Sequence, residues 1–215
     1  MIAPTLHDIP QRSEEWFRKR AGSLTGSRAQ AMLAKTRGGS MSKMRQRLIT
    51  DLALERLLGV SEKSAFVTPD MQHGIDQEPH AIAAYEALHM QRVATTGYVE
   101  HPTIAWVGCS PDGLLGEDGM LEIKCPASHT HMSVLRNAKT PTTVLAQLRH
   151  NLFVTGRDWI DYVSFDPRFP DNAQVFIERW SKEALEMEEY RVQVEAFLQE
   201  VANEVKLVKE YTHNV

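Results

Sequence analysis

Residues 109–126 carry the sequence CSPDGLLGEDGMLEIKCP, which predicts the centre of the fold. Two apolar runs, residues 104–109 and 120–125, flank a segment rich in Gly and Asp. Apolar runs joined through such a segment are typical of a β-hairpin with a tight turn. Side chains alternate between the two faces of a strand, so we expect Glu122 and Lys124 to lie on the same face.

Asp112, at the start of the chain reversal, is expected to face Glu122 and Lys124. Two carboxylates and an ammonium at strand ends suit metal-assisted hydrolysis of a phosphodiester, because hard oxygen ligands hold Mg²⁺ and a lysine can orient the attacking water. The alternative is a surface hairpin with a simple ion pair worth about 0 to 1 kcal/mol. An Asp followed by Glu-x-Lys arises by chance in roughly one chain in several, so this pattern alone leaves both interpretations open.

Hydrophobic periodicity and capping residues predict the remaining elements. Helices are expected at residues 14–19, capped by Ser13, at 28–34, capped by Ser27, at 44–58, from Pro69 onward, at 144–155 and at about 181–209, and strands at 159–165 and 174–180. In the helix that begins at Pro69, Glu78 interrupts an apolar face, so this carboxylate lies either at the rim of the core or in a site.

Several short motifs occur in a fixed order over about residues 14 to 168. They are Glu15-Trp16 with Arg20, Gly22-x-x-Thr25-x-Ser27, His73-Gly74 with Glu78, Cys109-Ser110-Pro111-Asp112-Gly113, Glu122-x-Lys124-Cys125-Pro126, Gln147, and Asp166-Pro167-Arg168. In this order the chain resembles the phage lambda exonuclease family of viral alkaline exonucleases, the YqaJ-type recombinases. The segment around Asp112 resembles the PD-(D/E)xK nuclease signature that this family carries.

The resemblance implies an α/β (α+β) fold of restriction-endonuclease-like type, a mixed central sheet flanked by helices, in a single domain of residues 1–215. It implies a Mg²⁺-dependent 5′→3′ exonuclease that degrades one strand of linear double-stranded DNA to 5′-mononucleotides and leaves a 3′ overhang for strand annealing. One or two ions are expected, and Mn²⁺ is expected to substitute for Mg²⁺.

The resemblance also assigns roles to residues. The metal would be held by Asp112, Glu122, the Ile123 carbonyl and Glu78, while Lys124 assists the attacking water. The 5′-phosphate of the DNA end would be held by Arg20, Thr25, Ser27, Ser110 and Gln147. The family further implies double-stranded DNA ends as substrate, a ring-shaped homotrimer and a single-strand annealing protein as partner.

Arg149 departs from the family pattern. Relatives carry Gln-x-Gln where this chain has Gln147-Leu148-Arg149. A guanidinium at this place would hold another phosphate or pair with Asp112 or Glu122 in competition with Mg²⁺. We therefore expect Arg149 to alter activity or metal affinity.

Charge is distributed unevenly along the chain of 215 residues, whose net charge is −4. Residues 11–50 carry a net charge of +8 and residues 181–210 one of −4, which favours phosphate binding by the first segment, although ordinary solvated helix faces would give the same pattern. Two cysteines exclude a four-cysteine iron–sulfur cluster. With no apolar run of membrane-spanning length and no signal pattern, a cytoplasmic location without membrane contact is expected, in a bacterial host cell for a phage or prophage protein.

Two alternatives stay open at this stage. The first is a restriction or repair endonuclease on the same fold, which would cut covalently closed circular DNA. The second is a non-catalytic scaffold that binds DNA ends, in which Arg149 has disabled the metal site.

Overall fold

The computed structural model describes residues 3–60 and 67–211, so positions 1–2, 61–66 and 212–215 of the predicted domain lie outside the description. The strands are β1 (Thr5–His7), β2 (Tyr98–Glu100), β3 (Gly108–Cys109), β4 (Gly113–Leu115), β5 (Gly119–Lys124), β6 (Trp159–Phe165) and β7 (Val175–Ser181). The α-helices are α1 (Glu14–Arg20), α2 (Ala29–Leu33), α3 (Lys43–Leu58), α4 (Pro69–His89), α5 (Ser128–Asn137), α6 (Thr142–Thr155) and α7 (Met187–Lys209).

A mixed four-stranded sheet in the order β4-β5-β6-β7 forms the centre of the molecule. β5 runs parallel to β6, while both outer pairs are antiparallel. Parallel neighbours need a long crossover connection, and helices α5 and α6 supply it between β5 and β6. This mixed α/β architecture confirms the predicted fold class.

The predicted hairpin differs from the observed one in its first strand. The hairpin consists of β4 and β5 joined by residues 116–118, whereas β3 pairs with β2 in a separate antiparallel sheet of order β1-β2-β3. Pro111 lies between β3 and β4, and a proline has no N–H to continue a strand ladder. The chain therefore leaves one sheet at Cys109 and enters the other at Gly113, which places Asp112 at the junction.

Helix α7 begins later than the predicted start at residue 181, because β7 continues through Ser181 to complete its pairing with Trp159. Its apolar face is buried against α3, and the side chains of this contact include Leu48, Leu52, Val194, Phe197 and Val201. The predicted stripe ends early, since Val208 is 53% exposed.

The start of α2 also differs from the prediction. A 3₁₀ turn at Gly26–Arg28, preceded by Thr25 as its N-cap residue, comes before α2, and Ser27 is not a cap. The short turn gathers Thr25 and Ser27 beside α1, and their hydroxyl oxygens lie 3.5 Å apart.

Much of the positive charge of residues 11–50 is already neutralised within the protein. Arg28 forms a two-pronged ion pair with Glu55, with contacts of 2.9 and 2.5 Å, and Glu55 is only 3% exposed. Arg45 pairs with Glu200 in the same two-pronged way. These two arginines therefore hold α2, α3 and α7 together, and the net charge of the segment overstates what is available to a phosphate.

Within residues 3–60 and 67–211, every helix is too short or too polar to cross a lipid bilayer.

Candidate active site

Asp112 is fixed against strand β5 by a backbone contact. The N–H of Ile123 donates to Asp112 Oδ2 at 2.7 Å. Desolvation, reinforced by the charge of Glu122, raises the pKa of the Asp112 carboxyl well above its usual value, although Lys124 opposes the shift. The carboxylate therefore occupies a place where an additional positive charge would be stabilising.

The backbone carbonyl of Ile123 points to the same edge of β5 as its N–H, which donates to Asp112. In an extended strand the N–H and C=O of one residue point to the same edge. The pairing of β4 with β5 ends at Gly113 and Leu121, so none of the strands in the described part of the chain covers this edge at residue 123. The Ile123 carbonyl consequently points toward the side on which Asp112 lies.

Glu122 is held by three donors although it is only 1% exposed. Its Oε1 accepts from Lys124 Nζ and from Gln147 Nε2, each at 2.5 Å, and its Oε2 accepts from Asn151 Nδ2 at 2.9 Å. Gln147 and Asn151 are one turn apart on α6 and so share a face. A buried carboxylate needs such partners to remain charged.

Asn151 is a site residue that the sequence analysis missed. It is 1% exposed and donates directly to Glu122. The sequence offered one signal for Asn151, its position four residues after Gln147, which places both side chains on one face of a helix. That spacing predicts a contact with Glu122 only once it is known which face of α6 packs against β5.

Lys124 is the cation nearest to the two carboxylates. Desolvation by itself would lower the pKa of its ammonium, but Glu122 and Asp112 outweigh it, and the pKa lies above its usual value. In the protein by itself Lys124 is therefore a protonated group, able to donate a hydrogen bond or neutralise a phosphate rather than accept a proton.

Glu78 lies on α4 and faces the same cavity. Its Oε2 accepts from Arg12 Nη2 at 3.1 Å, and its charge adds to those that raise the pKa of Asp112. Arg12 was not among the predicted site residues. No motif indicated it, because the contact joins residues that are 66 positions apart.

These groups line a cavity of about 530 Å³. Its polar lining includes Arg12, Asp70, Glu78, Asp112, Glu122, Lys124 and Gln147. Apolar side chains line other parts, among them Met71, Ile75, Pro126, Pro141 and Val144. A concave site of this size with converging charged groups has the character of a ligand-binding site.

Four of the five predicted phosphate-binding residues form a second cluster beside the carboxylates, namely Arg20, Thr25, Ser27 and Ser110. Arg20 Nη1 donates to Ser110 Oγ at 2.9 Å, Arg20 Nη2 lies 3.5 Å from Thr25 Oγ1, and the guanidinium covers the ring of Trp16 at 3.8 Å. Burial lowers the pKa of Arg20 to about 10, so it stays charged at neutral pH. Ser110 lies two residues before Asp112, so the two clusters adjoin.

Gln147 lies between these two clusters. Its amide donates to Glu122, while its side chain also passes close to Gly26 of the 3₁₀ turn, where an added Cβ would meet it at 3.1 Å. In this conformation the Gln147 amide is a hydrogen-bond donor to Glu122 and is not part of the Arg20 cluster.

Arg149 lies away from the carboxylates, which contradicts one of its two expected roles, the pairing with Asp112 or Glu122. Arg149 Nη2 is 3.5 Å from Glu186 Oε2, and the guanidinium lies over Tyr190 on α7. Two residues along a helix turn a side chain by about 200°, so Arg149 points away from the face that Gln147 and Asn151 present to Glu122.

The donor set of the cavity suits a hard divalent cation. Carboxylate and carbonyl oxygens are the ligands that Mg²⁺ prefers. Desolvation, with the charges of Glu122 and Glu78 adding to it, raises the pKa of Asp112 in spite of the nearby Lys124, and a bound cation would oppose that shift. Across residues 3–60 and 67–211, however, no three His, Cys, Asp or Glu side chains converge into a ready metal cage. A cation would thus need the Ile123 carbonyl and water in addition to the side chains.

Known proteins show the same fold and family. Residues 15–158 match the YqaJ-like viral recombinase domain. No curated protein sequence matches the chain significantly. An alkaline exonuclease, LHK-Exo from Laribacter hongkongensis, is similar in structure with a TM-score of 0.84 and 36% identity, covering 92% of this chain and 96% of that one. A structure of LHK-Exo in complex with dAMP has the same TM-score and coverage at 37% identity.

A phage-related exonuclease from Haemophilus somnus 129PT is similar with a TM-score of 0.65 and 13% identity, over 88% of this chain and 96% of that one, which is a likeness of fold alone. The family match is stronger, because it spans well over half of the chain and includes Arg20, Glu78, Asp112, Glu122 and Lys124. The chain belongs to the YqaJ-like viral recombinase family.

Proposed function

We propose that this protein is a Mg²⁺-dependent exonuclease that degrades the 5′ strand of linear double-stranded DNA, releases 5′-mononucleotides and leaves a 3′ single strand for recombination by annealing. The observation that carries the proposal is the adjacency of the two clusters. A carboxylate–lysine group at Asp112, Glu122 and Lys124 adjoins the Arg20–Ser110 cluster. Such an arrangement suits a substrate with a terminal phosphate and a phosphodiester one nucleotide further along the same strand.

The relatives support the same reaction. Two structures at 36% and 37% identity are of an alkaline exonuclease, and one of them contains dAMP, a deoxynucleoside monophosphate of the kind that the proposed reaction releases. The direction of digestion and the metal requirement of this chain are part of the proposal.

In the proposed reaction a water attacks the phosphorus of the first phosphodiester, and the bond from that phosphorus to the 3′ oxygen of the terminal nucleotide breaks. The products are a 5′-mononucleotide with a 3′-hydroxyl and a strand shortened by one nucleotide with a new 5′-phosphate. Mg²⁺ held by Asp112, Glu122, the Ile123 carbonyl and Glu78 would lower the pKa of the attacking water and neutralise charge on the phosphate. Mn²⁺ is expected to replace it.

The residues of the chain supply position and charge. Gln147 and Asn151 fix the orientation of Glu122, so the carboxylate does not have to be ordered when substrate arrives. Lys124, protonated and beside the carboxylates, orients the water and stabilises negative charge that grows on the phosphate. Arg20 with the hydroxyls of Thr25, Ser27 and Ser110 seats the 5′-phosphate through charge-assisted hydrogen bonds.

The test is digestion of linear duplex DNA with Mg²⁺, in which each strand carries a different label and the ends carry either a 5′-phosphate or a 5′-hydroxyl. Loss of the 5′ strand, faster with the phosphate and abolished by Asp112→Ala, is expected. Asp118→Asn is the matched control, because Asp118 is exposed in the turn of the same hairpin. Covalently closed circular DNA should remain intact.

The phosphate cluster has its own variant. Arg20→Lys keeps the charge but loses the planar fork of donors, so the preference for 5′-phosphorylated ends should shrink while cleavage of hydroxyl ends changes little. Arg18→Lys, on the exposed side of the same helix, is the control. Loss of the 3′ strand, or cutting of closed circles, would contradict the proposed function.

We also propose that the protein acts as a ring-shaped homotrimer around DNA and passes its 3′ single strand to an annealing protein. Both parts rest on what the resemblance to the phage lambda exonuclease family implies. The mass in solution by light scattering tests the first, since a monomer at micromolar concentration would contradict it.

A further inference from the structure

Arg12 has a backbone conformation that few side chains adopt. Its φ is +70°, in the left-handed region, where a residue other than Gly, Asn or Asp is uncommon and costs about 1 to 2 kcal/mol. Such outliers persist only where their surroundings hold them, and they concentrate at functional sites. The conformation of Arg12 is therefore an observation that calls for a physical cause.

The residues on both sides of Arg12 are anchored. Gln11 Nε2 donates to the carbonyls of Thr96 and Pro111 at 3.1 and 3.2 Å, and Pro111 immediately precedes Asp112. On the other side, Ser13 caps α1 by accepting from the Trp16 N–H. The strained residue is thus tied to the loop that carries a predicted metal ligand.

The side chain of Arg12 extends from this anchored segment into the large cavity and contacts Glu78 at 3.1 Å. Arg12 is 43% exposed and Glu78 25% exposed. A pair this exposed is worth about 0 to 1 kcal/mol, so it can exchange partners readily. Glu78 and Asp112 also border a smaller cavity of about 230 Å³, to which Gln11 contributes.

Four carboxylates line this cavity with two cations; the carboxylates are Asp70, Glu78, Asp112 and Glu122. Lys124 contacts Glu122, and Arg12 contacts Glu78. Arg12 is the more exposed of the two cations and lies on a segment outside the strands and helices of the site. It is therefore placed to leave its carboxylate without disturbing the fold.

We propose that Arg12 is an exchangeable counter-ion of Glu78, which neutralises this carboxylate in the DNA-free protein and moves onto a backbone phosphate of the DNA when substrate and metal enter. The inference rests on the proposed function and extends it. Arg12 and the divalent cation compete for Glu78 before DNA binds, whereas Arg12 assists DNA binding afterward. One residue thus has opposite effects on two ligands.

The test uses Arg12→Asn, which removes the charge but tolerates the left-handed conformation, and Arg12→Lys, which keeps the charge. Calorimetric titration with Ca²⁺ alone, without DNA, should show tighter binding to Arg12→Asn by about threefold to tenfold, because a cation beside the carboxylates has been removed. Titration with a blunt 5′-phosphorylated duplex in Ca²⁺ should show weaker binding. For Arg12→Asn, the slope of log K for DNA binding against log[salt] should be smaller in magnitude by about 0.9, because one phosphate contact is lost.

Arg92→Ala is the matched control. Arg92 Nη1 lies 3.3 Å from Glu86 Oε2 in a similar exposed ion pair, and neither residue lines the cavity. It should change neither affinity, and Arg12→Lys should retain the wild-type salt slope. Equal or weaker Ca²⁺ binding by Arg12→Asn, or an unchanged salt slope, would overturn the inference. If wild type binds DNA ends in Ca²⁺ but digests nothing in Mg²⁺, the proposed function fails while the two affinities still decide the role of Arg12.

Discussion

Replacement of Asn151 by Asp tests how the buried Glu122 is held. The two side chains have almost the same shape, so the change exchanges one donor for an acceptor and leaves packing intact. In the wild type, Asn151 Nδ2 donates to Glu122 Oε2 at 2.9 Å, and both residues are 1% exposed. The Asn151→Asp variant would place two buried carboxylates at that separation.

The loss of stability in the variant is set by the smaller of two free-energy costs, the repulsion between two charged carboxylates or the cost of keeping one of them protonated. If both groups were charged, their repulsion at 2.9 Å would be about 6 kcal/mol at an effective dielectric constant of about 20. Holding one proton instead costs about 1.4 kcal/mol for each pH unit above the unfolded pKa near 3.9. That is about 2 kcal/mol at pH 5.5 and about 5 kcal/mol at pH 7.5, so we expect the pair to retain a proton.

The same comparison gives the direction in which the stability of the variant changes with pH. The folded pKa of the pair is raised above the unfolded value, so the variant loses little stability at a pH near 4. Its deficit relative to wild type grows as the pH rises through the unfolded pKa and levels off only above the folded one.

Urea unfolding followed by tryptophan fluorescence, in EDTA, measures this difference at pH 5.5 and 7.5. The free energy of unfolding of Asn151→Asp should fall short of the wild-type value by about 3 kcal/mol more at pH 7.5 than at pH 5.5. Asn203→Asp, at an exposed position of α7, is the control and should show no such dependence. A deficit below about 1 kcal/mol at pH 7.5, or an equal deficit at both pH values, would refute the placement of Asn151 against Glu122.

Three further predictions concern other parts of the molecule. Arg149→Gln should leave both turnover and the Mg²⁺ dependence within about twofold of wild type, since its guanidinium lies against α7; a shifted Mg²⁺ titration curve would contradict this. Glu55→Ala should lower the free energy of unfolding by about 3 kcal/mol, because it leaves the charge of Arg28 unpaired, and a urea midpoint close to that of wild type would count against it. Burial lowers the pKa of His101 and of His150 to about 4; since the unfolded chain takes up these protons first, stability is fully present above pH 6.5 and should fall by up to about 2 kcal/mol per histidine by pH 5. Equal urea midpoints at pH 7 and pH 5 would contradict that expectation.

Much of the local structure could be predicted from the sequence. The strand at residues 159–165 and the helix ending at Thr155 agree with the alternation and periodicity of their apolar residues. The convergence of Asp112, Glu122 and Lys124 also followed from local geometry, because a short hairpin and the two-residue period of a strand suffice to bring them together.

The errors at the hairpin and at Arg149, and the omission of Asn151 and Arg12, share one cause. Residues 104–109 have the composition of a strand, but whether that strand joined β5 or another sheet depended on the course of the chain around Pro111. Arg149 is close to Gln147 in sequence, yet only the rotation of α6 against β5 decided which of the two faces Glu122. Asn151 and Arg12 entered the site through contacts 29 and 66 residues distant in sequence.

The sequence by itself determined most of the longer helices and strands and which residue types could perform hydrolysis, because these depend on near neighbours and on side-chain chemistry. It did not predict helix α5 or the short strands β1 and β2. Only the tertiary structure decided which donors hold Glu122, which cation contacts Glu78, and that Arg28 and Arg45 serve the fold. Those contacts depend on how sheets and helices pack across long stretches of chain, and packing of that kind leaves no periodic signal in a single sequence.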